Sequence, residues 1–577
     1  MFFYHSHTNP YSYGHFQCTQ AKDGNFDSRS PVSLLALSIA ICLLAPGASA
    51  SSLAPPAQIQ PLAAILQSNA NPSEHLINEA RENGQMAQQA WRGCFRYLNG
   101  WLGHRDPETG LIPRNLTRSW FWNAQDAAAD NYPFMTLTAA LLDRPRFETT
   151  MHQMLETEIE LTSRVDHLPD DYDFAKQGFR FDEVDMNRLI FGGSEYVKDG
   201  LMPLTEWLGE SPWSQRMISI TNSIWEHASV ESPFGLIPSD NQEINGEQMQ
   251  VLVRLYFMTG EERYKQYAFR LADYYLLENS PVDEDQLRLD DHGCEVIDGL
   301  AGAYYLASHT DQERYQRYQE PLYRLLDRVL EAGVNQDGLV YEVINPQSGE
   351  VISSELSDNW GYNYNAILNV GLLDDHQPYI QATASMLDAL PAYVGYPWEG
   401  AGADGYADAI EGGLNLYNRI PSENARQWIE QSVPFLLDAV GPDGVVEGWH
   451  GDGNFARTAL MVGLWKTQGV HIHPWRHDIT LGAARQNGQL VISIQTRWPW
   501  HGTLRFDQPR HQTILGLPSD FPRINQFPEW FTASPDETYV WRQAGEPAQE
   551  IEGQTLIEGV PLELGGGSEA IITITQP

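Results

Sequence analysis

Two kinds of helical segment alternate along this chain, and the alternation restricts the fold more than any single motif does. One kind falls at residues 84–101, 147–162, 212–227, 262–277, 312–331, 379–390 and 424–439, with apolar residues at three- and four-residue spacing and charges between them. Such a helix has one dry stripe and one wet face. The other kind runs near 126–142, 186–199, 245–259, 293–307, 361–373, 408–418 and 454–467, and is rich in Gly, Ala, Asn and aromatics but poor in Lys and Glu. GCEVIDGLAGAYYLA (293–307) and WGYNYNAILNVGLL (360–373) are examples. Low charge suits burial on most sides, and small residues let helices approach closely. Successive members lie roughly 45 to 70 residues apart, the period of a helical repeat unit.

A turn signal marks the same repeat. PETGLIPRN (107–115), SPFGLIPSD (232–240), NQDGLVYEV (335–343) and GPDGVVEGW (441–449) each place Gly before an aliphatic pair, ahead of an uncharged helix. Gly there suits a turn that needs positive φ, followed by a short extended piece. An open solenoid would satisfy the alternation. Gly mixed with polar and aromatic residues on the inner helices favours instead a closed toroid of six or seven helix pairs around a cavity. Past about residue 471 the character changes. QLVISIQT (489–496), TLRFDQP (503–509), ETYVWRQ (537–543) and EAIITIT (569–575) are β-branched or alternating and bounded by turn formers. The chain therefore divides into a leader (1–50), a lead-in (51–83), a helical toroid (84–470) and an all-β domain (471–577), expected to be an antiparallel sandwich packed against the toroid.

Residues 31–50, PVSLLALSIAICLLAPGASA, are short for a membrane span and end in the small-residue pattern Ala48-Ser49-Ala50. They read as an export signal, so the mature protein is expected to be secreted or periplasmic, without a membrane span. A formal charge of -40, from 36 basic and 76 acidic residues, repels phosphate and argues against a nucleic-acid partner. Beyond the leader only Cys94 and Cys294 remain, in no motif, and buried free thiols are favoured over a disulfide. Asn115-Leu116-Thr117 is a glycosylation acceptor pattern, meaningful only in a eukaryotic secretory route.

No phosphate-binding Gly loop, HExxH, CxxC, EF-hand loop or GxSxG elbow is present. His471, His473 and His477 form a small cluster better read as a domain-junction turn than as a zinc site, and no metal or cofactor is expected. What the chain does offer is carboxylates beside aromatics where uncharged helices begin: RSWFWNAQDAAADNYPF, LIPSDNQEINGEQ, LDDHGCEVIDG, SDNWGYNYNA, WEGAGADGYADAIEGG and EGWHGDGNFAR. Any single acid there suits a helix cap. Caps do not call for Trp beside them, whereas aromatic faces stack on sugar rings and carboxylates and amides grip hydroxyls. In a toroid these segments would gather at one mouth. Asp126, Asp130, Asp291, Asp404, Asp408 and Glu411 are the catalytic candidates; the substrate-binding candidates are Arg118, Trp120, Trp122, Asn245, His292, Trp360, Tyr362, Asn363, Trp398, Trp449, His450 and Arg457. Neighbours such as Asp408 and Glu411 share one helical face and cannot easily flank a sugar ring, so one acid of 404–411 should oppose Asp126, Asp130 or Asp291.

Paired helices, Gly–aliphatic turns, mouth-side Trp, Asp, Glu and His, and a C-terminal β domain resemble the (α/α) toroid carbohydrate-active enzymes over about residues 84–577. That group includes glycoside hydrolases, polysaccharide lyases and sugar epimerases. The resemblance is architectural and carries over no catalytic residue. It implies a carbohydrate substrate and, with the abundant acids, hydrolysis by a protonated and an ionised carboxyl. The alternative is β-elimination on a uronate polymer, with His292, Tyr362 or His450 as base or acid and Asn245, Asn363 or Arg457 on the uronate. An epimerase and a non-catalytic glycan-binding protein remain as lesser alternatives.

Overall fold

The computed structural model of the protein describes residues 72–118 and 120–576. The export segment at 31–50 and most of the lead-in lie outside them. Among the described residues seven helical hairpins follow one another: α1 (Glu74–Gly103) to α2 (Tyr132–Leu142), α3 (His152–Thr162) to α4 (Met186–Glu195), α5 (Pro212–Glu226) to α6 (Gln242–Thr259), α7 (Glu262–Leu277) to α8 (Cys294–Thr310), α9 (Gln312–Ala332) to α10 (Trp360–Leu373), α11 (Gln377–Ala389) to α12 (Ala403–Arg419), and α13 (Glu423–Asp438) to α14 (Asn454–Lys466). A π-helical stretch, Ala124–Asn131, leads into α2, and α4 runs on through another, Tyr196–Leu201.

From α4 onward each even-numbered helix packs on the next, α14 packs on α2, and the π-helical stretches Ala124–Asn131 and Tyr196–Leu201 pack on each other to join α2 to α4, so the inner elements form a closed ring backed by the odd helices. Burial follows composition. Outer α9 buries only Tyr318, Leu322, Leu325, Leu326 and Val329, one stripe of an amphipathic helix. Inner α8 buries every residue from Cys294 to Ala307. Where α10 crosses α12, a Cβ on Gly361 would run into the backbone of Gly412, so this crossing requires glycine. The four turn glycines, Gly110, Gly235, Gly338 and Gly444, all have positive φ, between +74° and +119°. These turns and the segments after them deliver the chain to the N-terminal ends of inner helices.

The lead-in needs correcting at its end. The first outer helix begins at Glu74, not 84, capped by the Ser73 hydroxyl, which accepts from the Leu76 N–H at 3.2 Å. Its first turns bury Leu76 and Ala80 against the β region, and Gly84 sits on Gly482. Their partners lie 400 residues away, so the polar surface of this stretch hid its apolar stripe. Short hairpins inside ring connections, such as Tyr341–Ile344 with Val351–Leu356, also went unanticipated.

The C-terminal strands are β1 (His471–His473), β2 (Ile479–Gln486), β3 (Gln489–Thr496), β4 (Trp500–Arg505), β5 (Thr538–Gln543), β6 (Gln549–Glu552), β7 (Val560–Leu564) and β8 (Glu569–Thr575). They form two antiparallel sheets, β1-β4-β7 and β2-β3-β8-β5-β6. Trp500, Leu504 and Leu562 from the first share one hydrophobic cluster with Ile492, Tyr539 and Ile572 from the second. Strand β2 lies against α1.

Between β4 and β5 the chain leaves the sheets at residues 506–537 and crosses the C-terminal ends of the inner helices. Leu515, Leu517 and Phe521 pack with Tyr305 of α8 and with Phe257 and Leu373. The Tyr305 hydroxyl donates to the Ser519 carbonyl at 2.8 Å, and the Asn418 amide to the Glu529 carbonyl at 3.0 Å. From there the chain enters the ring, where Ile524 packs with Cys294 and Tyr362. This insertion forms a floor and leaves the inner-helix N-terminal side as the mouth. Cys94 and Cys294 are buried free thiols. Among the described residues no helix is long and apolar enough to cross a membrane.

Candidate active site

Inner helices that start on one side bring their first turns together, and acids from all parts of the ring meet there. On one wall, Asp126 receives hydrogen bonds from the Arg114 guanidinium at 2.5 Å and from the Asn123 amide. Asp130 lies one turn further along. His450, from the turn before α14, places Nε2 3.7 Å from Asp126 and 3.6 Å from Asp130. Asp404, at the start of α12, accepts from the Asn454 amide at 2.7 Å.

These groups set one another's protonation. Burial pushes Asp130 well above the usual carboxylate range; His450 opposes this, and Asp199, Asp126 and Asp404 reinforce it. Burial also lifts Asp404 to about 6, with Asp408 adding repulsion and His450 pulling down. Asp452 rises to about 7 through burial and the charge of Asp404. His450 rises to about 9: burial disfavours its charge, but Asp126, Asp130, Asp404 and Asp452 outweigh that.

The facing wall comes from α4, α6 and α8. His292, with φ +66°, bonds Glu243 through Nδ1 and lies 2.9 Å from Asp291 through Nε2. Burial would raise Asp291, but the charge and hydrogen bond of His292 hold it below the carboxylate range, and the same partners raise His292 against its burial. Lys198 bridges Asp199 at 2.7 Å and Glu295 at 2.5 Å. Burial lifts Glu295 to about 7 despite that bridge.

Between the walls and above the floor lies Arg457. It bonds Asp408, reaches Glu411 at 2.9 Å through Nε and donates to the Asn525 side-chain oxygen at 2.8 Å. Glu411 is 0% exposed and also accepts from the Tyr362 hydroxyl at 2.7 Å and the Asn525 N–H at 2.5 Å. Asn525, with φ +60°, spends its amide on Asp199 at 2.7 Å. The inserted loop thus ties both walls together from below.

The site assignments from sequence change accordingly. Asp126, Asp130, Asp291, Asp404, Asp408, His292 and His450 stand around the mouth. Glu411, Tyr362 and Arg457 are locked beneath it by one another and cannot reach a sugar. Trp122, Trp360 and Trp398 are 2%, 0% and 1% exposed, so they do not offer faces to a ligand; Trp360 and Trp398 pack on Trp428 instead. Asn245 bonds Tyr275 and the Ser239 carbonyl, and Asn363 bonds the Leu289 carbonyl, all in the interior. Trp120 and Trp449 are exposed at the surface, and Arg118 stacks 4.6 Å over the Trp449 ring. Sequence reasoning missed Glu195, Lys198, Asp199, Glu247 and Asn525. Glu195 with Asp199, and Glu247 with Glu243, carried a signal: acids four residues apart in inner-type helices poor in charge. Asn525 carried none.

The histidine cluster is at the ring–sheet junction. His473 and His477 line a cleft of about 520 Å³ with Phe95, Arg144, Trp475 and Trp498, and none of the acids above borders it.

No family model matches the chain, and no curated protein is similar to it. Among solved structures it is similar to the GH76A α-1,6-mannanase of Salegentibacter sp., at 14% identity and TM-score 0.39 over 54% of this chain and 96% of that one. It is similar to the unsaturated glucuronyl hydrolase of a Bacillus species, at 14% identity and TM-score 0.35 over 49% and 86%. A third similarity is to cellobiose 2-epimerase of Bacillus thermoamylovorans, at 13% identity and TM-score 0.34 over 45% and 84%. These are (α/α) toroid carbohydrate-active enzymes, the group the sequence resembles. Likenesses this distant say nothing about which reaction, if any, the mouth performs.

Proposed function

We propose that this protein is a glycoside hydrolase that cleaves an oligosaccharide or polysaccharide at the mouth of the ring. The observation carrying the reading is that two acids from different helical segments, Asp130 before α2 and Asp404 in α12, share the charged mouth around His450, both held above the usual carboxylate range by burial and Asp130 the further. Asp130, pushed well above the usual carboxylate range by burial, is the acid that donates to the leaving glycosidic oxygen. Asp404, titrating near 6, is ionised and activates water or attacks the anomeric carbon. His450, cationic below about 9, sits against Asp126 and Asp130 and lowers both Asp130 and Asp404 against their burial. Asp408 and Glu411 act through Arg457, as positioning residues. Trp120 supplies an exposed ring at the rim, while the Trp449 ring lies under the Arg114 and Arg118 guanidiniums, which are placed to meet an acidic sugar group.

The elimination reading fits less well. Tyr362 is bonded to Glu411 and buried, His450 is a cation rather than a base, the Asn245 and Asn363 amide donors are spent on interior partners, and the Arg457 guanidinium is engaged by Asp408, Glu411 and Asn525. The two C-terminal sheets sharing one core are read as a sandwich domain packed on the ring, and the 31–50 segment as directing export. Incubation with a panel of neutral and uronate glycans tests the function. The expected product is new reducing ends, abolished by Asp130→Asn. An unsaturated chromophore in the ultraviolet would establish the lyase instead, isomers without chain shortening the epimerase, and sugar binding without product a lectin-like role.

A further inference from the structure

The proposed reaction leaves the wall of α4 and α6 without a task. Glu195 and Asp199 lie one turn apart there, and Glu247 faces them from α6. One carboxylate oxygen from each falls within 4.8 Å of the others. Glu247 is 1% exposed, and its Oε2 is buried with no hydrogen-bond partner among the described residues. A buried carboxylate oxygen without a donor is costly and calls for a partner.

The protein's own cations do not fill that role. The Lys198 ammonium is committed to Asp199 Oδ1 and Glu295 Oε1. Both ring nitrogens of His292 are taken, by Glu243 and Asp291. If all were ionised, Glu195, Asp199, Glu247 and Glu295 against the single Lys198 would leave three negative charges in the interior, a repulsion that a cation or protons must relieve. With the imidazole engaged, the donors are oxygens only. That excludes the mixed nitrogen and sulfur sets that zinc prefers and suits a hard cation. Three carboxylates on two helices offer up to six oxygens and fit calcium, which takes six to eight oxygens in adaptable geometry. Magnesium demands a near-octahedral set.

We propose that Glu195, Asp199 and Glu247 bind one calcium-type divalent cation beside the mouth. The competing occupant is the proton. Buried carboxylates this close to one another share protons when no cation lies between them. A cation entering at neutral pH must displace those protons, so binding and proton release are coupled. The proposal does not rest on the glycosidase reading, because its readout is binding rather than turnover.

The test is calorimetric titration of Ca²⁺ into the EDTA-treated full chain at pH 7, in two buffers of different ionisation heat. One saturable site with proton release is expected, tightening as pH rises, with Mg²⁺ binding more weakly. Glu247→Gln and Glu195→Gln should each weaken Ca²⁺ by more than about tenfold. Thermal melting of the wild type should rise with added Ca²⁺ by mass action, a readout that holds even if a variant fails to fold. Absence of saturable binding and of a melting shift in the wild type would overturn the proposal. So would Ca²⁺ affinity unchanged in both folded variants, and tighter binding of Mg²⁺ than of Ca²⁺ would overturn the calcium assignment.

Discussion

The floor and the mouth of the ring bury the same residue types but pair them differently. On the floor, Glu206 meets Arg254 at 2.8 Å and Arg523 at 3.3 Å, while Asp520 meets Arg419 at 2.6 Å and Arg523 at 2.8 Å. Burial would raise both acids, yet the guanidiniums win: Glu206 falls below its ordinary value and Asp520 drops to about 2. At the mouth, acids outnumber cations, and Asp130, Asp404, Asp452, Glu195 and Glu247 all shift upward. Depth is common to both regions; a fixed countercharge is not. The floor is built to hold the fold, and the mouth keeps protons exchangeable at the cost of internal repulsion.

The largest expected effect is on turnover. Asp130→Asn removes the donor of the proposed reaction, and turnover should fall by about 10²–10⁴-fold, measured on whichever glycan the wild type cleaves. Urea unfolding of the variant should be no weaker than that of the wild type, because a repelled acid has gone. Full activity in a folded Asp130→Asn protein would remove this residue from the chemistry and leave the mouth without its acid.

The floor should respond the other way. Arg523→Met takes from Glu206 and Asp520 one of the two guanidiniums each has, leaving Arg254 and Arg419, and breaking one side of a buried charge pair costs up to about 3–5 kcal/mol. The urea midpoint should drop accordingly. A loss below about 1 kcal/mol would mean that the inserted loop is not what closes the ring.

Opposite pairing also predicts opposite pH dependence. For Asp404 and Asp452 the folded values, about 6 and about 7, lie above an unfolded value of about 3.9. Their contribution to stability is fully present below about pH 4 and is lost as pH rises through 6 to 7. His450, raised to about 9, contributes below about 6.5 and loses that as pH rises through 9. Asp520 and Glu206, both lowered, contribute above about pH 4 and lose it only on further acidification. Between pH 4.5 and 8, in EDTA, the urea midpoint should therefore fall as pH rises, with a shallower slope in Asp452→Asn. A midpoint that climbs over this interval would contradict the account of the mouth.

Much of the ring was legible because its signal is local. Gly, Ala and Asn without charge mark an inner helix, and amphipathic spacing marks an outer one. The acids just ahead of inner helices, such as Asp126, Asp404 and Asp291, also announced themselves by position. The tryptophans misled because a core and a sugar platform ask for the same ring: Trp360 and Trp398 fill the interior beside Trp428, while Trp449, from a similar context, is exposed. Asn525 was invisible for a different reason. Its bond to Asp199 spans 326 residues, and nothing near FPRINQF distinguishes a surface loop from one that threads a ring.

The smallest expected effect concerns the frame that delivers the mouth segments. Gly110 has φ +74°, its N–H donates to the Asp106 carbonyl at 2.8 Å, and a Cβ there would meet nothing within 4 Å. Gly110→Ala therefore isolates the backbone term, the cost of a left-handed conformation for an L-residue, about 1 kcal/mol. Gly110→Asn should cost less, because a short amide side chain tolerates that region. At Gly444, φ +87°, an added Cβ would press on the Arg96 carbonyl, so Gly444→Ala should cost more than Gly110→Ala through the added clash. Urea midpoints should fall from Gly110→Asn to Gly110→Ala to Gly444→Ala, with turnover close to wild type for the two Gly110 variants. Stability lost with turnover kept is the reverse of the Asp130→Asn pattern, and it separates residues that shape the mouth from residues that act in it. If Gly110→Ala costs nothing, the positive φ at that turn is not enforced, and the shared turn geometry of the four repeats loses its physical basis.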